Sequence, residues 1–252
     1  MNFSIRIGLS IILIVSIFCT QIPQAIGVQS DIVIQPPNAD TWVNSMYLHT
    51  KYPEKPHGYL WALFAGNMYD NYYDLFGSSR IYLKFNLSAI TSEYQIISTV
   101  LKLYMYDGPS SPQKFDIHVV NGDWDENVLI WAIQPDFCEE PIASTTIDST
   151  ANLWISWNVT KAAKDWHSNK YNNYGLMIKI NKEMNATDEV ASFRPKEKSL
   201  NKIDIEFAPK LEIIVEGDTE IPEMSLYAFP MWLAFVIFFS YRSFRKIDKK
   251  KS

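Results

Sequence analysis

A period-two alternation of apolar and polar side chains, repeated from one short run to the next, constrains this chain more than any other feature. In Ser79 to Asn86, Ile81, Leu83 and Phe85 alternate with Tyr82, Lys84 and Asn86. In Val100 to Asp107, Leu101, Leu103 and Met105 alternate with Lys102, Tyr104 and Tyr106. Phe115, Ile117 and Val119 alternate with Asp116 and His118, and Leu153, Ile155, Trp157 and Val159 with Trp154, Ser156 and Asn158. Tyr174 to Ile180 and Lys210 to Val215 repeat the pattern; shorter candidates are Asp31 to Gln35, Asp40 to Asn44 and Tyr59 to Ala65. Successive side chains of a strand point to opposite faces, so these runs read as half-buried strands. Turn chemistry separates them at Pro36-Pro37-Asn38, Asp107-Gly108-Pro109, Asn121-Gly122-Asp123 and Asn172-Asn173. Many short strands with such punctuation predict an all-β fold, a β-sandwich or jelly roll. One short helix is expected at Thr160 to His167, carrying Ala162, Ala163 and Trp166, with Thr160 as its cap.

Two apolar runs enclose this strand-patterned middle. The first, Ile11 to Phe18, follows Arg6 and precedes Ala25-Ile26-Gly27, a small-x-small step suited to signal cleavage. Met224 to Tyr241 carries no charge and is followed by Arg242, Arg245, Lys246, Lys249, Lys250 and Lys251. A stretch of about 18 uncharged residues is long enough to span a bilayer, and the basic flank stays cytoplasmic. The expected organisation is therefore a signal peptide at 1–27, a β-domain at 28–216, a linker at 217–223, a transmembrane helix at 224–241 and a basic cytoplasmic tail at 242–252. The β-domain then stands on the cell surface. Residues 28–222 hold 16 of the chain's 23 basic residues and 26 of its 28 acidic ones, a formal net of −10. That balance argues against nucleic acid, whose affinity comes from neutralising phosphates.

Of two cysteines, Cys19 falls in the signal, so Cys138 has no partner for an internal disulfide. A disulfide scaffold is excluded, and Cys138 is either a small buried hydrophobe or an intermolecular partner. Sequons stand at Asn86, Asn158 and Asn185; the first two lie in strand-like runs and the third in a polar turn, where a sugar is best accommodated. Asp123, Asp125 and Glu126 are clustered in one turn, and His49, His57, His118 and His167 are scattered without metal spacing. No catalytic constellation emerges, and a non-enzymatic role is expected. Loop oxygens of Asp40, Asp70 and Asp74, with Asn38, Asn71, Asp123 and Asp125, are candidates for one structural Ca²⁺. Sugars stack their apolar faces on exposed rings. The aromatic stretch Tyr59, Trp61, Tyr69, Tyr72, Tyr73 and Phe76, interleaved with Asp70, Asn71 and Asp74, is the leading candidate platform. Trp154, opposite Trp157 by strand parity, is a second candidate. Arg80 and Lys84 are placed to meet a uronate carboxylate, and for Arg80 a buried structural salt bridge is the alternative.

The order of these elements carries a resemblance. Asp40-Thr41-Trp42-Val43 is followed by Arg80 to Ser88, Val100 to Tyr104, Trp124-Asp125-Glu126 with Trp131, Trp157-Asn158-Val159-Thr160, Trp166, Asn173 to Leu176, and Pro209 to Ile213. Over roughly residues 31–216 this resembles the DNRLRE domain, also classed as carbohydrate-binding module family 96. It is also similar to the accessory domains of disaggregatase-related surface proteins of methanogenic archaea. The resemblance implies a β-jelly-roll that binds acidic or neutral polysaccharide and is not itself a catalyst. It also implies that Trp124 and Trp131 are core; as a departure from the family pattern, Gly66 to Gly77 reads as an aromatic insertion widening an early loop. Ile221-Pro222-Glu223-Met224 is similar to archaeal sorting tails that read Pro-Glu-Phe. Two uses are in view: a membrane-anchored polysaccharide-binding module, and a structural envelope or adhesion protein whose jelly roll contacts other proteins.

Overall fold

The computed structural model describes residues 27–49, 54–72, 74–196 and 205–218. The expected signal peptide short of Gly27, the 224–241 helix with its basic tail, and Tyr73 lie outside the described residues. Among the described residues no helix is long and apolar enough to cross a membrane. Residues 29–217 form one compact unit.

That unit is all-β with one short helix, as the alternation predicts. Its strands are β1 (Gly27–Ile34), β2 (Ala39–Asn44), β3 (Leu63–Asp70), β4 (Leu75–Lys84), β5 (Tyr94–Asp107), β6 (Gln113–Val119), β7 (Ala143–Ile147), β8 (Leu153–Asn158), β9 (Leu176–Ile180), β10 (Glu189–Phe193) and β11 (Lys210–Asp218). The helix, here α1, spans Thr160–His167. The strands join in one hydrogen-bonded sheet, in the order β1-β11-β5-β10-β3-β4-β9-β6-β7, with β2 added to β4 and β8 to β5. The sheet curls on itself. Trp157 of β8 donates its indole N–H to the carbonyl of Phe115 on β6, 3.4 Å away, although those strands are far apart in the order. Thr145 on β7 likewise donates to the carbonyl of Ser156 on β8 at 2.8 Å.

The alternation explains what the curl encloses. Ile81 and Leu83, Leu101 and Leu103, Phe115 and Ile117, Ile155 and Trp157, Ile178 and Leu211 are the inward halves of their strands and share one apolar core. Fully burying such a side chain contributes roughly 1.5–3 kcal/mol. A second, smaller core lies on the opposite face of β4 and β9. There Val43, Tyr82 and Met177 are covered by Val120, Trp124 and Leu129, with Trp131 and Phe137 packed against them. Trp124 is thus core, and Trp131 is partly buried against it.

Several local expectations are corrected. Gly66 to Gly77 is not a widened loop but the two arms of the β3–β4 hairpin, paired from Gly66↔Ser79 to Asp70↔Leu75. Asp74 closes it with φ 53°, a left-handed conformation that a short polar side chain tolerates. Tyr59 and Trp61 precede β3 instead of opening it, and both are exposed. Strands β7 and β10 carry too few bulky alternating residues to read as strands. Thr160 does not cap α1 with its side chain; Val159 is the cap residue. The Thr160 hydroxyl instead accepts the amide of Thr99 on β5 at 2.9 Å, while Asn158 Oδ1 takes the Thr160 N–H at 3.0 Å. Cys138 is exposed, not a buried hydrophobe.

Candidate functional site

The outward phase of β5 forms the face that organises the site. Leu101, Leu103 and Met105 are fully buried, so Lys102, Tyr104 and Tyr106 project from the other side, half-buried. On β8 Trp154 stands directly opposite Tyr104, their rings 5.5 Å apart and nearly perpendicular. Phe207 meets Tyr104 at 4.4 Å. Lys210 of β11 reaches across, with Nζ 4.5 Å from the centre of the Trp154 ring. Glu212 accepts from Lys102 at 2.6 Å and from Lys210 at 3.0 Å. The Lys102 hydrogen bond, aided by Lys210, holds the Glu212 carboxyl below the usual carboxylate range. Farther along β5 the Arg194 guanidinium lies 5.0 Å from the Tyr106 ring, and Trp61, 61% exposed, tilts against Tyr106 at 6.3 Å.

One stripe therefore carries the rings of Trp61, Tyr106, Tyr104, Phe207 and Trp154. Beside them stand three cations, Arg194, Lys102 and Lys210, against Glu212 and, at the strand end, Asp107. A local basic surplus on a domain of formal net −10 is a reversal of charge. Such a surface offers ring planes for the C–H faces of sugars, and ammonium and guanidinium groups for hydroxyls or carboxylates.

The sequence candidates fall in different places. Trp154 is on the stripe. Tyr69 and Tyr72 belong to the β3–β4 hairpin, where Tyr69 stacks on Phe76 at 4.5 Å and donates its hydroxyl to Asp74 at 2.8 Å. That hydrogen bond pushes the Tyr69 phenol up. Tyr72 is 86% exposed, with its amide on Asp70 Oδ1 at 2.8 Å. Arg80 is engaged in a partly buried fork: Nε and Nη2 meet the two oxygens of Glu183 at 2.6 and 2.8 Å, and Nη1 meets Gln134 at 3.0 Å. Its guanidinium lies 4.4 Å from the Trp131 ring. Lys84 donates to Asp123 at 2.7 Å and to the carbonyl of Trp124 at 3.1 Å. Arg80 thus forms the ion pair that is the alternative to a ligand contact, and Lys84 pairs with the exposed Asp123.

Asp40 is not brought together with Asp70 and Asp74. It is buried on β2, with Oδ2 accepting the amide of Lys196 at 2.7 Å, and faces Leu83 of β4; Asp70 faces Leu75. Eight residues of strand separate those levels by roughly 27 Å. Among the described residues no group of three His, Cys, Asp or Glu side chains is gathered as a metal site. Asp123, Asp125 and Glu126 point to separate tasks: Asp123 on Lys84, Asp125 on the amide of Asn127, and Glu126 on Lys196 and the Asp40 amide. Asn86, Asn158 and Asn185 are all exposed. Asn158 ends β8 on the same face as Trp154 and Ser156.

Tyr104, Tyr106, Phe207, Arg194 and Lys210 were not singled out from sequence. Tyr104 and Tyr106 did carry a signal, since they are aromatic in the outward phase of a strand whose core phase is Leu101, Leu103 and Met105. Phe207 carried none. No curated protein matches the chain. The sequence profile of Carbohydrate-binding module family 96 matches residues 32–208, which span β2–β10 and the whole ring stripe.

Proposed function

The chain belongs to carbohydrate-binding module family 96, and from that premise we propose that its β5–β8–β11 face binds an extended polysaccharide without cleaving it. The observation that carries this reading is the Tyr104–Trp154–Phe207 ring cluster flanked by Lys102, Lys210 and Arg194. The curled sheet serves as a jelly-roll scaffold, and the cations favour a chain with carboxylates. The 224–241 segment anchors the module in the cytoplasmic membrane, with the β-domain on the cell surface and the basic tail inside. There it holds the cell to envelope or matrix glycan.

Affinity electrophoresis of the full-length protein through polygalacturonate, alginate and neutral glucan gels tests the reading, run with calcium and with EDTA. Retardation on at least one polymer is expected, lost by at least tenfold in Trp154→Ala and kept in Tyr72→Ala. Removing Trp154 takes away its pairing with Tyr104, worth ~0.5–1.5 kcal/mol beyond area burial for an aromatic pair, together with the apolar area the ring offers a sugar. If EDTA abolishes retardation and calcium restores it, a structural Ca²⁺ belongs to the module. A folded protein that no polymer retards would leave the face to protein contacts in the envelope.

A further inference from the structure

The ring-bearing face does not end at β8. Ser156 and Asn158, the next outward residues after Trp154, also line an open groove of about 870 Å³ that continues past Thr145 to Lys161 and Lys164. That groove shares Ile142, Lys161 and Asp165 with a more enclosed cleft of about 840 Å³ beyond α1. Groove and cleft are thus linked by shared lining residues, and the groove begins on the strand face that carries Trp154.

The closed end differs from the face in both shape and charge. Its walls present Trp166 from α1 and the rings of Tyr171 and Tyr174 from the segment after it. Asn172 donates its amide to the Tyr174 hydroxyl at 2.9 Å, which leaves that hydroxyl's proton for another acceptor. Glu140 and Asp165 supply carboxylates, and Lys161 the one ammonium. Asp165 is kept ionised: the hydrogen bond from Lys170, and then that from Lys161, holds its carboxyl below the usual range. Its size lies within the ~300–1,000 Å³ typical of small-ligand pockets. Rings with carboxylates and amides suit a hydroxyl-bearing ring; Lys161 and Lys170 are both engaged by Asp165, so an anionic ring would meet Glu140 with no uncommitted ammonium of the lining beside it.

We propose that the cleft between α1 and the 138–142 segment receives an uncharged terminal pyranose of the bound polysaccharide. Its occupancy as a chain end rests on the platform reading above; its affinity for the sugar itself does not. Tyr171 and Tyr174 stack or flank the ring, and Glu140, Asp165 and Asn121 take its hydroxyls. The module then holds a chain at its end as well as along its length.

Saturation-transfer NMR tests this with methyl β-glucoside, methyl β-galactoside, methyl α-mannoside and methyl galacturonoside, on the full-length protein in a Cys19→Ser background. Cys138 is exposed at the cleft and is the one cysteine among the described residues, so a bulky maleimide blocks the cleft without altering the core. With the platform removed by Trp154→Ala, the expected result is transfer to at least one neutral glycoside, reduced at least fivefold by the maleimide and by adding Tyr171→Ala. Three results would each overturn the proposal: no transfer to any neutral glycoside, transfer that survives the maleimide, or equal transfer to the galacturonoside. Polymer retardation read in parallel keeps the two readings apart. Its loss in Trp154→Ala reports the platform and leaves the cleft signal standing.

Discussion

Arg80 illustrates how a residue fit for ligand recognition is committed elsewhere by its neighbours. Its fork to Glu183 lies under the second core, with Lys179 on the same carboxylate at 3.1 Å. Burial raises a carboxyl pKa, but Arg80 and then Lys179 outweigh it, and Glu183 is held below the usual range. A depressed folded pKa gives stability that is present above the unfolded value and lost as pH falls through the folded one. Wild-type stability is therefore expected to fall as pH drops below the ordinary carboxylate range. Glu183→Gln is expected to lower stability at pH 7 by about 1–3 kcal/mol, between the exposed and fully buried limits, since it leaves the largely buried Arg80 without its countercharge. The two denaturation curves should converge in acid; parallel curves from pH 7 to acid would show that the pair does not drive the titration. Sequence reading found Arg80 and offered the ion pair as one of its two uses. Glu183 is not legible there, since it lies 103 residues away and meets Arg80 through the pairing of β4 with β9.

At the scale of elements, the β3–β4 hairpin was hidden because aromatic rings occupy it without a clean alternation. Its register depends on close backbone approach. Gly66 has φ 132°, and a Cβ there would run into the carbonyl of Glu189 on β10. Gly66→Ala is expected to destabilise by at least ~1 kcal/mol, because both the conformation and the neighbour oppose it. Chemical denaturation measures this, and an unchanged midpoint would mean that β10 can move away. Strands β5, β6, β8 and β11 were legible because their core phase is bulky. Strand β7, Ala-Ser-Thr-Thr-Ile, and β10, Glu-Val-Ala-Ser-Phe, are strands by pairing alone. The helix was legible in its extent but not in its cap. Its Thr160 hydroxyl ties α1 to β5, a contact that no local spacing encodes.

For the molecule as a whole, charge is the quantity with the longest reach. A formal net of −10 on residues 28–222 repels a polyanion, while Arg194, Lys102 and Lys210 attract it at short range. The Debye length shrinks from about 30 Å at 0.01 M salt to about 10 Å at 0.1 M. The long-range repulsion is screened first, so affinity for polygalacturonate is expected to rise between those concentrations. A steady fall across that range, by calorimetry or electrophoresis, would mean that the local cations dominate at all distances. The all-β architecture was readable from period two, but the stripe was not. Phe207 and Arg194 come to β5 from segments about 90 residues or more along the chain, by the pairing of β10 and β11. Asn158 shares the outward phase of β8 with Trp154, lines the open groove, and is the acceptor of a sequon. An oligosaccharide attached there during export would lie where a foreign chain has to pass. One polypeptide would then leave the cell's secretion machinery as two populations, bare and sugared. The share of adhesive molecules on a cell would be set by the occupancy of that one asparagine during biosynthesis, before any polysaccharide is met.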